Sequence, residues 1–60
     1  MDKTAVFTIS KNSKGYNITS KKFNLYNKIG VPANQLFEAM EELTDTFNNV
    51  IGYAILFEID

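Results

Sequence analysis

From Lys3 to Ser10 the chain alternates between apolar and polar positions. Ala5, Phe7 and Ile9 fall on one face of an extended segment, with Thr4, Val6, Thr8 and Ser10 on the other. Thr, Val, Ile and Phe suit a pleated, half-buried surface, so this stretch predicts a first strand. Lys11-Asn12-Ser13-Lys14-Gly15 predicts a turn, because Asn and Ser bond their own backbone and Gly15 supplies a positive φ. A loop over Asn12 to Gly15 sets Lys11 opposite Tyr16 and Ile9 opposite Ile18, which keeps Ile9 and Ile18 on one face. Tyr16 to Lys21 then reads as a second strand. Beyond it the alternation slips by one residue, to Phe23 and Leu25, which predicts a bulge near Ser20 to Lys22. Phe23 to Ile29 fits either an extension of the second strand or a loop that plugs one end of the core.

Gly30-Val31-Pro32 breaks the pattern, and Pro32 suits the first turn of a helix. Leu36, Met40, Leu43 and Phe47 then recur at spacings of four, three and four, with Phe37 and Thr44 beside them. This apolar stripe predicts an amphipathic helix from about Pro32 to Phe47 or Asn48. Asn48-Asn49 fits its end, since Asn tolerates the left-handed conformation. Gly52 to Ile59 predicts a final strand in which Tyr53, Ile55, Phe57 and Ile59 alternate with the also apolar Ala54 and Leu56.

The expected fold is therefore α+β: a small ββαβ domain over residues 1–60. A crossover through the helix returns the last strand parallel to the second. Placed beside the first strand, it makes an antiparallel three-stranded sheet of order 2-1-3, with the helix packed on one face. The other face, carrying Val6, Thr8, Ala54 and Leu56, is left without cover from this chain.

A sixty-residue chain buries only about 60% of the surface that its unfolded form exposes, so a domain of this size needs a staple. With no Cys and no His, disulfides and the usual zinc sites are excluded. Association with a second copy is the remaining device, and Val6, Thr8, Ala54 and Leu56 are the expected homodimer interface.

Charge changes the picture further. Residues 1–30 hold all six lysines and one acid, Asp2, for a net +5, whereas residues 31–60 hold six acids and no base, for −6. On the helix, Glu38, Glu41, Glu42 and Asp45 share a face without helical lysine partners, and repel one another by a few tenths of a kcal/mol per close pair. Such a ridge fits a basic protein surface, and its charge spacing imitates a nucleic-acid backbone. The leading reading is a non-enzymatic interaction module, homodimeric, acting as a phage or mobile-element regulator or inhibitor of a host protein. The abundance of Lys and Asn, a bias of AT-rich phage and bacterial genomes, adds to that reading.

The alternative is nucleic-acid binding by the lysine-rich hairpin, through Lys11, Lys14, Lys21 and Lys22, with Tyr16 to stack a base. Net acidity, a pI near 5.2 and the absence of Arg argue against a dedicated binder. Catalysis is the weakest reading. No His or Cys offers a base or nucleophile, no Gly-rich phosphate loop is present, and exposed carboxylates lack the burial that separates acid from base. No catalytic, cofactor or metal residues are expected. The start, Met1-Asp2-Lys3, carries no secretory pattern, and the longest apolar run, Val50 to Phe57, is far short of the roughly 20 residues of a membrane span. A cytoplasmic location, with no membrane partner, is the expectation.

Overall fold

The computed structural model describes residues 3–60, so Met1 and Asp2, used above for the chain start and the charge count, lie outside the described residues. Among the described residues four strands are formed: β1 (Thr4–Asn12), β2 (Gly15–Thr19), β3 (Lys28–Val31) and β4 (Ala54–Ile59). The helix α1 (Leu36–Asp45) stands between β3 and β4, entered through a 3-10 turn (Ala33–Gln35) and left through a π turn (Thr46–Ile51). The sheet order is β3-β2-β1-β4. The α+β class holds, with one helix packed on a four-stranded sheet.

The first hairpin forms in the expected register, with Ile9 opposite Ile18 and Lys11 opposite Tyr16. Its loop is shorter than expected. Asn12 and Gly15 still pair, leaving only Ser13 and Lys14 to turn the chain. Asn12 helps to close that turn, because its Oδ1 accepts the Lys14 N–H at 2.7 Å. Gly15 is required here: its φ is +152°, and a Cβ would lie 2.1 Å from the Val31 carbonyl oxygen.

The expected three-stranded antiparallel sheet is corrected in two linked ways. Lys28–Val31 is a strand, antiparallel to β2, and β4 runs parallel to β1. The reason is one of parity. Each added strand reverses the direction of the chain, so inserting β3 before the helix reverses the strand that follows it. The neighbour order of β2, β1 and β4 is kept.

The expected bulge at Ser20 to Lys22 also lies elsewhere. There β2 has ended, and a loop begins with the Ser20 N–H donating to Asn27 Oδ1 at 2.7 Å and the Phe23 N–H to Ser20 Oγ at 3.2 Å. The irregularity falls between β2 and β3, where Tyr16 pairs with Val31 and Ile18 with Lys28, so Ile29 and Gly30 together face Asn17. Gly30 has φ +71°, as a bulge glycine does. Asn17 Oδ1 accepts the Gly30 N–H at 3.0 Å and also the Asn12 Nδ2–H at 2.6 Å. One side chain thus ties the bulge to the hairpin.

The helix does not end at Asn48-Asn49. It widens into the π turn and stops at Gly52, whose φ is +83°. The N–H groups of Gly52 and Tyr53 both donate to the Phe47 carbonyl, at 2.8 and 2.7 Å. Glycine adopts this left-handed closure at less cost than asparagine. Pro32 does not lie in the first turn as expected: with extended ψ it caps the 3-10 turn one position ahead of it, its carbonyl accepting the Gln35 N–H, and the α-helix itself begins at Leu36.

The core sits between α1 and one face of the sheet: Ala5, Phe7, Ile9 and Ile18 meet Ala39, Leu43 and Phe47. Phe47 is fully buried among aromatic edges, with ring centroids 5.3 Å from Phe7, 5.1 Å from Phe23 and 5.1 Å from Tyr26. Phe23 also meets Tyr53 at 5.5 Å. Of the two readings left open for Phe23 to Ile29, the loop that plugs the core holds for its first part, and a strand begins at Lys28. Among the described residues, no helix is long and apolar enough to cross a membrane.

Candidate protein-interaction site

The four acids of α1 follow directly from helical spacing. Residues three and four apart share a face, and Glu38, Glu41, Glu42 and Asp45 are all exposed. The structure divides them across that face. Glu38 and Glu42 lie toward β3, around a shallow hollow bounded by Lys28, Gly30 and Gln35. Glu41 and Asp45 lie toward β4. Among the described residues Glu42 is the one of these acids with a partner: the Lys28 ammonium donates to its Oε1 at 3.2 Å. The lysine partner absent from the helix is thus supplied for one acid by β3. With the Glu42 side chain 72% exposed, this pair contributes about 0–1 kcal/mol.

Between α1 and β4 lies a cleft of about 340 Å³, formed by Phe37, Met40, Thr44 and Phe57 and rimmed by Glu41 and Asp45. Phe37 is the residue that pattern reading missed. Its position beside the apolar stripe predicts burial, yet it is 77% exposed and stands at the mouth of this cleft. The available signal was angular: Phe37 precedes the acidic residue Glu41 by one turn of the helix, which puts it on the border of the acidic face.

The strand beside the cleft has an open outer side. Among the described residues β4 pairs with β1 only, in unbroken register from Thr4–Ala54 to Ile9–Ile59. The Ala54 N–H donates to the Lys3 carbonyl and the Asp60 N–H to the Ile9 carbonyl, both at 2.9 Å. In a parallel ladder alternate residues serve alternate sides. Ile55, Phe57 and Ile59 therefore turn their N–H and C=O groups outward, while their side chains lie on the helix face.

The expected dimer residues do share one surface. Val6 stands opposite Leu56, Thr4 opposite Ala54, and Thr8 opposite Glu58, on the face away from the helix. Val6 is 41% and Leu56 49% exposed. Around them the surface is rich in hydroxyls. Thr4, Thr8, Ser10, Thr19 and Ser20 line a groove of about 600 Å³ that runs between Lys21-Lys22 and Glu58-Asp60.

The lysines of the alternative reading are not brought together. Lys11 and Lys14 lie at the hairpin turn, whereas Lys21 and Lys22 follow the far end of β2. The separation is roughly 15–20 Å at about 3.3 Å per extended residue. Tyr16 packs against the core with its ring partly buried, and Lys22 lies 5.8 Å from the centroid of its neighbour Phe23. Comparison with protein-family models, curated proteins and solved structures gives no match for this chain.

Proposed function

We propose that this protein is a non-enzymatic interaction module whose acidic helix face binds a basic surface of another protein. The observation that carries the reading is the grouping of Glu41, Asp45 and the exposed Phe37 around one cleft. Exposed acids alone are an ordinary solvated face. Acids rimming an apolar cleft offer both a desolvated anchor position and a charge requirement. A regulator or inhibitor of a host protein is the role that fits a module of this size. The scattered lysines and the packed Tyr16 weigh against nucleic acid.

The test compares the parent with a Glu41→Lys, Asp45→Lys variant as baits in host lysate, with identification by mass spectrometry. The expected result is a basic protein held by the parent, released by salt and absent from the variant. A partner retained equally by both baits overturns the acidic-face reading. So does a mobility shift of DNA at physiological salt that is lost in a Lys11→Glu, Lys14→Glu variant.

A second reading, homodimerisation through the uncovered sheet face, is favoured by the facing pair Val6 and Leu56. Sedimentation equilibrium is then expected to show a dimer at micromolar concentration, and Leu56→Asp to return it to 6.8 kDa by burying an unpaired charge. A parent that stays monomeric across that range removes this reading.

A further inference from the structure

We infer that the partner of the acidic face binds as an extended strand added to the outer side of β4, and that its segment alternates apolar with basic residues. This rests on the acidic-face reading and specifies its partner.

Three observations converge on the same edge. First, β4 offers a regular hydrogen-bonding template. Ile55, Phe57 and Ile59 present outward N–H and C=O groups over a six-residue strand. Such an edge ordinarily carries a bulge, a proline or a lysine that discourages pairing, and β4 has none of these. Second, an added strand has a prepared place for one face of its side chains. Residues pointing to the helix side enter the cleft of Phe37, Met40 and Phe57, where an aliphatic or aromatic side chain fits. Strand-addition sites gain affinity from the main chain and specificity from such pockets on alternate residues.

Third, the charged side chains that α1 and β4 themselves bring to this edge are acids, the nearest lysines lying just ahead of β1 and beyond β2. Glu41 and Asp45 rim the cleft on the helix side, Glu58 projects on the opposite face of β4, and Asp60 follows at its end. A segment with Lys or Arg beside its apolar anchor meets these acids on both faces. The same charges reject a second copy of this chain. In a two-fold antiparallel pairing of two β4 edges centred on Phe57, the Glu58 residues of the two copies become same-face diagonal neighbours, and no base of β4 offsets them. Nor does β3 make a good inserting strand, since Ile29 and Gly30 bulge and Lys28 is already paired with Glu42.

The probe is a synthetic nine-residue peptide alternating valine and lysine, titrated into the ¹⁵N-labelled full chain. The expected result is saturable binding at micromolar to millimolar peptide, with amide shifts and slowed exchange at Ile55, Phe57 and Ile59. N-methylating alternate peptide amides should weaken binding at least tenfold, because it removes the ladder without touching the protein. Ile59→Pro should weaken it similarly. The Ile59 N–H faces outward, so proline there spares the pairing with β1. Glu41→Lys with Asp45→Lys should also cost about tenfold, a loss that salt reproduces.

No binding at about 1 mM peptide, the weak end of specific recognition, overturns the inference. Binding that survives N-methylation and Ile59→Pro but falls with the charge reversals overturns strand addition and leaves the acidic face standing. Binding that needs the peptide amides yet ignores the charge reversals overturns the acidic-face reading instead. Self-association of the parent that Ile59→Pro abolishes, with no peptide binding, makes a second copy the occupant and overturns the proposal.

Discussion

At one edge of the sheet, β3 spans four residues, and two of them face a single residue of β2. Gly30 kinks it, Asn17 takes up the Gly30 N–H, and Lys28 reaches over to Glu42. At the other edge, β4 spans six residues in regular register, with Ile59 79% exposed at its end. β3 carries the devices by which natural sheets avoid joining other sheets: shortness, a bulge and a positive charge. β4 carries a single charge, the acid Glu58, with Asp60 just beyond it. With one edge so thoroughly protected and the other regular, strand addition of the kind proposed above is confined to the β4 side, with the acids as the proposed selectors.

The largest expected effect tests the core that both edges share. Phe47→Ala removes the ring that Phe7, Phe23 and Tyr26 pack against, and should cost about 3–5 kcal/mol. Small domains rarely exceed about 5 kcal/mol in total, so thermal melting followed by circular dichroism should find the variant largely unfolded. A parent-like melt would show that the aromatic cluster is not what holds the helix to the sheet.

Gly15→Ala acts where the hairpin turn meets β3, away from β4. Its methyl group would meet the Val31 carbonyl, and the backbone there is strained for any side chain, so about 1–3 kcal/mol is expected. Hydrogen exchange should speed up at Val31 and Gly30 before it does at Ala54 and Leu56. Equal acceleration at both edges would show that the sheet opens as one unit. Asn17→Ala is the milder form of the same test. It withdraws an acceptor from the Gly30 N–H and the Asn12 side chain, for about 1 kcal/mol by denaturant titration.

The smallest effects belong to the acids and to Phe37. Glu42→Ala should lower stability by at most about 1 kcal/mol, and salt should diminish the difference. Glu41→Ala and Phe37→Ser should stay within about 0.5 kcal/mol of the parent, since both residues are exposed. A large loss from Phe37→Ser would make the cleft part of the core rather than a docking place.

Where period and burial agree, the elements could be read directly from the sequence. β1, the hairpin register and the helix stripe come from Ala5, Phe7, Ile9, Ile18, Leu43 and Phe47, all buried as their spacing requires. β3 was hidden because its alternation is broken by the bulge. Ile29 points away from the core, 67% exposed, and Gly30 has no side chain to continue the pattern. Losing that one short strand also lost the direction of β4, since direction depends on how many strands come before. The acids of the candidate site were visible as a helix face. The open edge beside them was not, because which strand ends a sheet is a property of the whole topology.

The parallel pairing of β4 with β1 has a kinetic consequence. Like β2, β1 has a partner on each side, and its two partners differ sharply in sequence distance. β2 is reached across Ser13 and Lys14, whereas Thr4 finds Ala54 fifty residues away. Loop-closure entropy makes the distant pairing costlier by about 3 kcal/mol, so it should form late, after the hairpin has become a nucleus. Truncating Ile18 should then slow folding, while truncating Ile55 should chiefly speed unfolding. Stopped-flow measurements giving the reverse would place closure of β4 in the transition state. If the order holds, β1 passes through a stage with its own side bare. The chain then risks misassembly at β1, even though the folded protein presents β4.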